Sequence, residues 1–130
     1  MWYNLYTIKS NMSNLYLITG EETYEKNECL EKIKNSFGEL VKGINYIVLD
    51  KDSISNLESE INTYPFGYSK KLIVVKFDKK EGASEEEVDK KTDFLNDQMQ
   101  ELLSNLDESV NVVFIGDFTA KSKIYKFVEK

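Results

Sequence analysis

Four short runs rich in aliphatic and aromatic residues recur along the chain: Leu15-Tyr16-Leu17-Ile18, Ile44 to Leu49, Leu72 to Phe77 and Val110 to Ile115. They lack the strict alternation of a strand with one wet face, so they read as strands buried on both sides. Helix-like patterns lie between them. Strands that alternate with helices are joined by right-handed crossovers, which implies an α/β fold: a doubly wound parallel sheet with helices on both faces, Rossmann-like in plan. In such sheets ligands sit beyond the carboxyl ends of the strands, here Thr19-Gly20, Asp50, Asp78 and Gly116-Asp117.

The spacing predicts a first helix from Glu21, with Tyr24, Leu30, Ile33 and Phe37 on its apolar face and Gly38 as a stop. A second carries Ile54, Leu57 and Ile61 and must break at Tyr64-Pro65-Phe66-Gly67, because proline disfavours a helical residue before it. Residues 78–91 are mostly charged and predict a solvated loop. Within it Ser84 caps a third helix whose stripe is Val88, Phe94, Leu95, Met99, Leu102, Leu103 and Leu106. Ser122 to Lys130 starts another helical pattern with no C-cap, so the chain is expected to be one domain, residues 1–130, of a longer protein.

The residues that are missing narrow the chemistry. All 17 basic residues are Lys, with no Arg and no His, which excludes arginine fingers, imidazole acid-base catalysis and most zinc sites. A net charge of −6 works against sequence-independent binding to phosphate backbones, so DNA is not expected to be held by this segment alone. No run approaches the ~20 apolar residues of a membrane helix. Cys29, the single cysteine, has no internal partner for a disulfide, and the amino-terminal stretch has no signal-peptide core. A cytoplasmic protein is expected, with no cofactor and no metal.

The stretch after the first run invites comparison with a phosphate-binding loop, G-x-x-x-x-G-K-[ST], in which glycines let backbone amides wrap phosphates, lysine neutralises them and a hydroxyl holds magnesium. Here the window is Gly20-Glu21-Glu22-Thr23-Tyr24-Glu25-Lys26-Asn27. Gly20 and Lys26 match. Glu25 stands where the second glycine belongs and Asn27 where the hydroxyl belongs. A carboxylate ~4 Å from a phosphate costs about 1 kcal/mol per charge pair in water and several at a lower effective dielectric, so Glu21, Glu22 and Glu25 should repel a triphosphate. Lys79 follows Asp78 where an ATPase needs a catalytic Glu. The window reads first as a plain strand-glycine-helix junction and second as a decayed phosphate loop. Two rivals, an active nucleotide-binding enzyme and a receiver-like signalling domain holding magnesium between Glu21, Glu22 and Asp50, each lack part of their residue set.

Tyr64-Pro65-Phe66-Gly67-Tyr68-Ser69-Lys70-Lys71 places three aromatics and a proline in one helix-to-strand turn. Either the rings pack onto the sheet edge while Lys70 and Lys71 keep that strand end soluble, or an exposed Phe66 beside Tyr64 anchors a partner. Both readings stay open on the residues alone.

Taken in order, these segments resemble the N-terminal domain of the delta subunit of bacterial DNA polymerase III. Leu15-Tyr16-Leu17-Ile18-Thr19-Gly20-Glu21-Glu22 is similar to the family's Tyr-Leu-x-x-Gly-Glu-Glu start. Tyr64 to Val75 is similar to its Pro-Phe-Phe-Ser-x-x-Arg-Leu-Val-Val segment, and Asp117 to Val128, with Lys121-Ser122-Lys123-Ile124-Tyr125-Lys126, completes the series. The resemblance implies an AAA+-like clamp-loader fold with a degenerate nucleotide site and no catalysis of its own, inside a holoenzyme that is a DNA-directed DNA polymerase. It implies a subunit that binds and opens the sliding clamp by a hydrophobic plug, which maps onto Tyr64, Pro65 and Phe66. Other clamp-loader subunits would be its partners, and primer-template DNA would be met only through the assembled complex. The second half of the subunit would lie past Lys130. One departure stands out: clamp-binding peptides commonly have Gln several residues before a Leu-Phe pair, whereas here Ile61 takes the Gln position and Pro65 precedes Phe66.

Overall fold

The computed structural model describes residues 7–9, 14–20, 23–63, 65, 67–77, 95–116, 118 and 123–129. Five strands form one sheet: β1 (Thr7–Lys9), β2 (Leu15–Thr19), β3 (Tyr46–Leu49), β4 (Lys71–Phe77) and β5 (Val110–Gly116), in the order β1-β2-β5-β4-β3. β2, β5, β4 and β3 are parallel, as the four apolar runs predict. β1 adds a short antiparallel edge strand to this parallel sheet, with Ile8 opposite Leu17 of β2. Three residues of Thr-Ile-Lys are too short a run to show a period, and edge strands need no continuous apolar character.

The helices are α1 (Thr23–Asn35), α2 (Leu57–Ile61, led by a 3₁₀ turn at Ile54–Asn56), α3 (Asp97–Ser104) and α4 (Lys123–Glu129). From β2 the chain crosses to the far edge at β3, then returns through β4 to β5. Right-handed crossovers require helices on opposite faces for these opposite directions of travel, and the two cores show that partition. On one face Leu30 of α1, with half-buried Cys29, Ile33 and Phe37, covers Ile18, Leu72, Val74, Val113 and Ile115. On the other, α2, α3 and α4 supply Leu57, Ile61, Leu103, Ile124, Phe127 and Val128 over Leu15, Leu17, Ile73, Val75, Val112 and Phe114. Every residue of β5 is buried, because both of its faces and both of its edges are covered.

Several local expectations shift. Tyr24, placed by its spacing on the apolar face of α1, is 72% exposed. It lies about two and a half helical turns from Ile33, hence on the opposite side. β3 begins at Tyr46 rather than Ile44, because residues 41–46 turn back on themselves. Ile44 and Asn45 donate their backbone N–H to Val41 O. The buried Asn45 side chain then accepts from Val41 N–H at 2.6 Å and donates to Glu39 O at 2.9 Å.

The long third helix predicted from Ser84 does not run through to Leu106. Its start, with Val88 and Phe94, lies outside the described residues, but Asn96 is extended (φ −77°, ψ 176°) and α3 begins after it. Asn96 Oδ1 accepts the Met99 N–H at 2.8 Å, an N-cap that satisfies an otherwise orphaned donor. Asn96→Ala is expected to lower stability by about 1 kcal/mol in urea denaturation; an unchanged midpoint would show that this cap contributes nothing.

Candidate functional site

Two regions bear on function, and they occupy opposite ends of the sheet. The first is the crevice at the carboxyl ends of β2 and β5, where the strand order reverses and ligands of open α/β sheets bind. Its central contact is polar and buried. Thr19 Oγ1 donates to Phe118 O at 2.6 Å and accepts from Phe118 N–H at 2.8 Å, tying the end of β2 to the chain just past β5. The Phe118 ring is buried edge-on against Phe77, with centroids 5.5 Å apart at 73°. Gly116 sits beneath them with no room to spare: a Cβ there would lie 2.8 Å from Phe77 O and 2.9 Å from the Phe118 ring. The crevice wall on the α2 face is therefore filled by two aromatic rings.

On the α1 side, Gly20 follows β2 directly, and Glu25, Lys26 and Asn27 all fall in the first turns of α1. Glu21 and Glu22 lie outside the described residues. Glu25 is half-buried, and its Oε2 is shielded from solvent without a hydrogen-bond partner among the described residues. A carboxylate set into the first turn matches the positive end of the helix. It also places negative charge where a phosphate would have to approach.

Of the carboxylates named for a magnesium site, Asp50 is the one among the described residues. β5 and β4 separate β2 from β3, so Asp50, which follows β3, is about 14 Å in strand spacings from the end of β2. Asp50 Oδ1 already accepts from Asp52 N–H, Ser53 N–H and Ser53 Oγ. The Asp52 amide first, and the Ser53 amide next, hold this carboxyl below the usual carboxylate range. Among the described residues no three His, Cys, Asp or Glu side chains are grouped to hold a metal ion.

The second region is the turn between α2 and β4, residues 62–70, at the amino end of the sheet. Of the three residues mapped to the plug, Pro65 is buried, while Tyr64 and Phe66 lie outside the described residues. Tyr68 donates its N–H to Pro65 O at 2.9 Å, closing a four-residue turn with Gly67 at φ +82°. That left-handed value suits the third position of a type II turn and favours glycine. Tyr68 Oη bonds Glu39 Oε1 at 3.2 Å. Partial desolvation and then the Glu39 carboxylate push its phenol above the ordinary value. Lys70 lies 5.7 Å from the Phe37 ring centroid, so the segment before β3 braces this side of the turn. Ile61, at the position where clamp-binding peptides carry Gln, is a core residue on the α2 face.

Lys71 departs from expectation. Instead of keeping the strand end soluble, it is 1% exposed, and its Nζ donates to Glu60 O at 2.7 Å, Thr63 O at 2.9 Å and Glu60 Oε1 at 3.2 Å. The signal was in the strand period: Phe77, Val75 and Ile73 point to the α2 face, and two residues further back comes Lys71.

The fold is thus a doubly wound α/β sheet whose carboxyl edge carries Glu25 and is partly filled by Phe77 and Phe118. The family model for "DNA polymerase III, delta subunit" matches residues 16–130, nearly the whole chain, and the chain belongs to this family of clamp-loader components serving DNA replication. No curated protein and no solved structure gives a significant match. No helix among the described residues is long and apolar enough to cross a membrane.

The Thr19 contact can be tested directly. Thr19→Val keeps the shape but leaves the buried Phe118 N–H and C=O unpaired, so a loss of about 1–3 kcal/mol is expected in urea denaturation; a loss below about 0.5 kcal/mol would show that both groups find other partners.

Proposed function

We propose that the chain is the N-terminal domain of a non-catalytic clamp-loader subunit, that it binds the sliding clamp at the turn carrying Tyr64, Pro65 and Phe66, with the buried Pro65 supporting the turn rather than meeting the partner, and that this binding favours the opened ring. The observation that carries this reading is the turn between α2 and β4. In a chain of this family, that turn lies between a core residue, Ile61, and the hydrogen bond from Tyr68 N–H to Pro65 O. A hydrophobic ring held on a short, closed turn enters a partner's pocket with little entropy left to lose. Phe66 supplies the ring in this reading.

The mechanism is mechanical. Binding energy realised only against the open clamp interface shifts the closed-to-open equilibrium toward opening. Taking such an equilibrium from 1:99 to 99:1 needs a differential of about 5.5 kcal/mol, and a few kcal/mol already moves it substantially. ATP would be used by partner subunits, since Glu25 and Asn27 replace the residues that phosphate and magnesium require. Primer-template DNA would be reached only through the assembled complex, in keeping with the net charge of −6. The setting is the cytoplasm, where the DNA is replicated.

Phe66→Ala is expected to weaken clamp binding by at least ~2 kcal/mol, as for an aromatic hot spot; unchanged affinity in surface plasmon resonance would sink the assignment of this turn. Calorimetric titration with Mg-ATP is expected to show no binding, and micromolar affinity would reject the decayed-loop reading.

A further inference from the structure

The buried ammonium of Lys71 is neither part of the apolar core nor at the surface. We propose that Lys71 is a positioning residue for the clamp-binding turn, holding the end of α2 against the start of β4; this role rests on the clamp-binding reading above.

An ammonium has three protons to donate, and here each finds an acceptor, two of them backbone carbonyls of residues 60 and 63. Glu60 O also accepts Thr63 N–H at 3.3 Å, so the ammonium is its second donor, and a cation just past α2 meets the negative end of the helix. α2 spans only Leu57–Ile61, too short to hold its own end in place. The other end of the tether is rigid. Lys71 N–H donates to Ser109 O at 2.7 Å, and Lys71 lies in register with Val110 of β5. Thr63 is thus fastened to the middle of the sheet, one residue before Tyr64.

A purely structural role does not need a charge. Burying an ammonium is costly, and an apolar side chain of the same length would fill the space with less desolvation. What the ammonium adds is direction: it draws two named carbonyls to one point and so fixes where the chain leaves α2. With Tyr68 and Lys70 braced on residues 37–39, the turn is held at both ends. A turn held before the clamp arrives avoids the ordering cost of binding.

The test compares four variants of the full chain by surface plasmon resonance against the clamp, together with amide hydrogen exchange and thermal melting. Lys71→Met is expected to weaken clamp binding about tenfold, the order of an ordering cost for one or two immobilised side chains, and to speed exchange at the Tyr68 amide. Lys71→Gln, which keeps an NH₂ donor, should fall between Met and the native lysine, and it carries the comparison if the Met variant does not fold. Val113→Ala, on the α1 face, should lower the melting temperature without changing clamp affinity or selectively speeding Tyr68 exchange. Phe66→Ala tests the underlying reading. Weakened binding in Phe66→Ala with native affinity and native Tyr68 exchange in the Lys71 variants overturns the positioning role and leaves the reading standing. Unchanged affinity in Phe66→Ala overturns the reading, and this role with it. A loss of affinity in Val113→Ala equal to that in the Lys71 variants would reduce Lys71 to general stability and also overturns the proposal.

Discussion

β5 hydrogen-bonds to β2 along one edge and to β4 along the other, and the positions of both functional regions follow from those two registers. Pairing Thr19 with Gly116 brings the end of β2 to the end of β5, where Thr19 can clasp the Phe118 backbone. Pairing Phe77 with Gly116 presses the β4 backbone against the same glycine, which is why a side chain has no space there. At the other end, pairing Lys71 with Val110 sets where β4 starts, and with it where the preceding turn is delivered. A slip of one residue would turn every side chain of β5 to the opposite face, exchanging Val112 and Phe114 with Val113 and Ile115 between two differently shaped cores.

The parallel core of the sheet was legible because burial on both faces leaves a simple trace: continuous apolar runs such as Leu72 to Val75 and Val112 to Ile115. Features decided by single polar contacts left a weaker one. Asn96 interrupts an otherwise helical stripe because its side chain competes for the Met99 amide, and periodicity does not register such a competition. Asn45 delays β3 in the same way, by bonding to the backbone around it. Lys71 was misjudged because lysine pairs usually mark solvent, although its place two residues before Ile73 put it on the α2 face. At the candidate site, the chemical misfit of Glu25 and Asn27 was plain from residue types. The filling of the crevice by Phe118 was not, since it depends on what the chain does after leaving β5.

Glu25 shows how a helix start can carry its own counter-charge. A helix that begins just after a glycine at the end of a strand keeps its positive end whether or not a phosphate is present, and an acidic side chain in the first turn satisfies the same potential. In this chain the carboxylate supplies the negative charge that a ligand would otherwise bring.

In a parallel sheet the strand-to-helix connections gather at one end and the helix-to-strand connections at the other, so the two regions are separated by the length of a strand. For β4 that is about 20 Å at the usual rise per residue. A phosphate loop belongs to the carboxyl end by construction, since it leads from a strand into a helix. The turn from α2 to β4 belongs to the amino end. Its shape depends on Lys71, Pro65, Gly67 and Tyr68, none of which touches the Thr19–Phe118 clasp. The filled carboxyl edge therefore does not bear directly on the turn, and a proposed partner surface there is free to be tuned by packing alone. β4 joins the two ends, with Lys71 at its first residue and Phe77 at its last, and β5 runs beside it with Val110 and Gly116 in register.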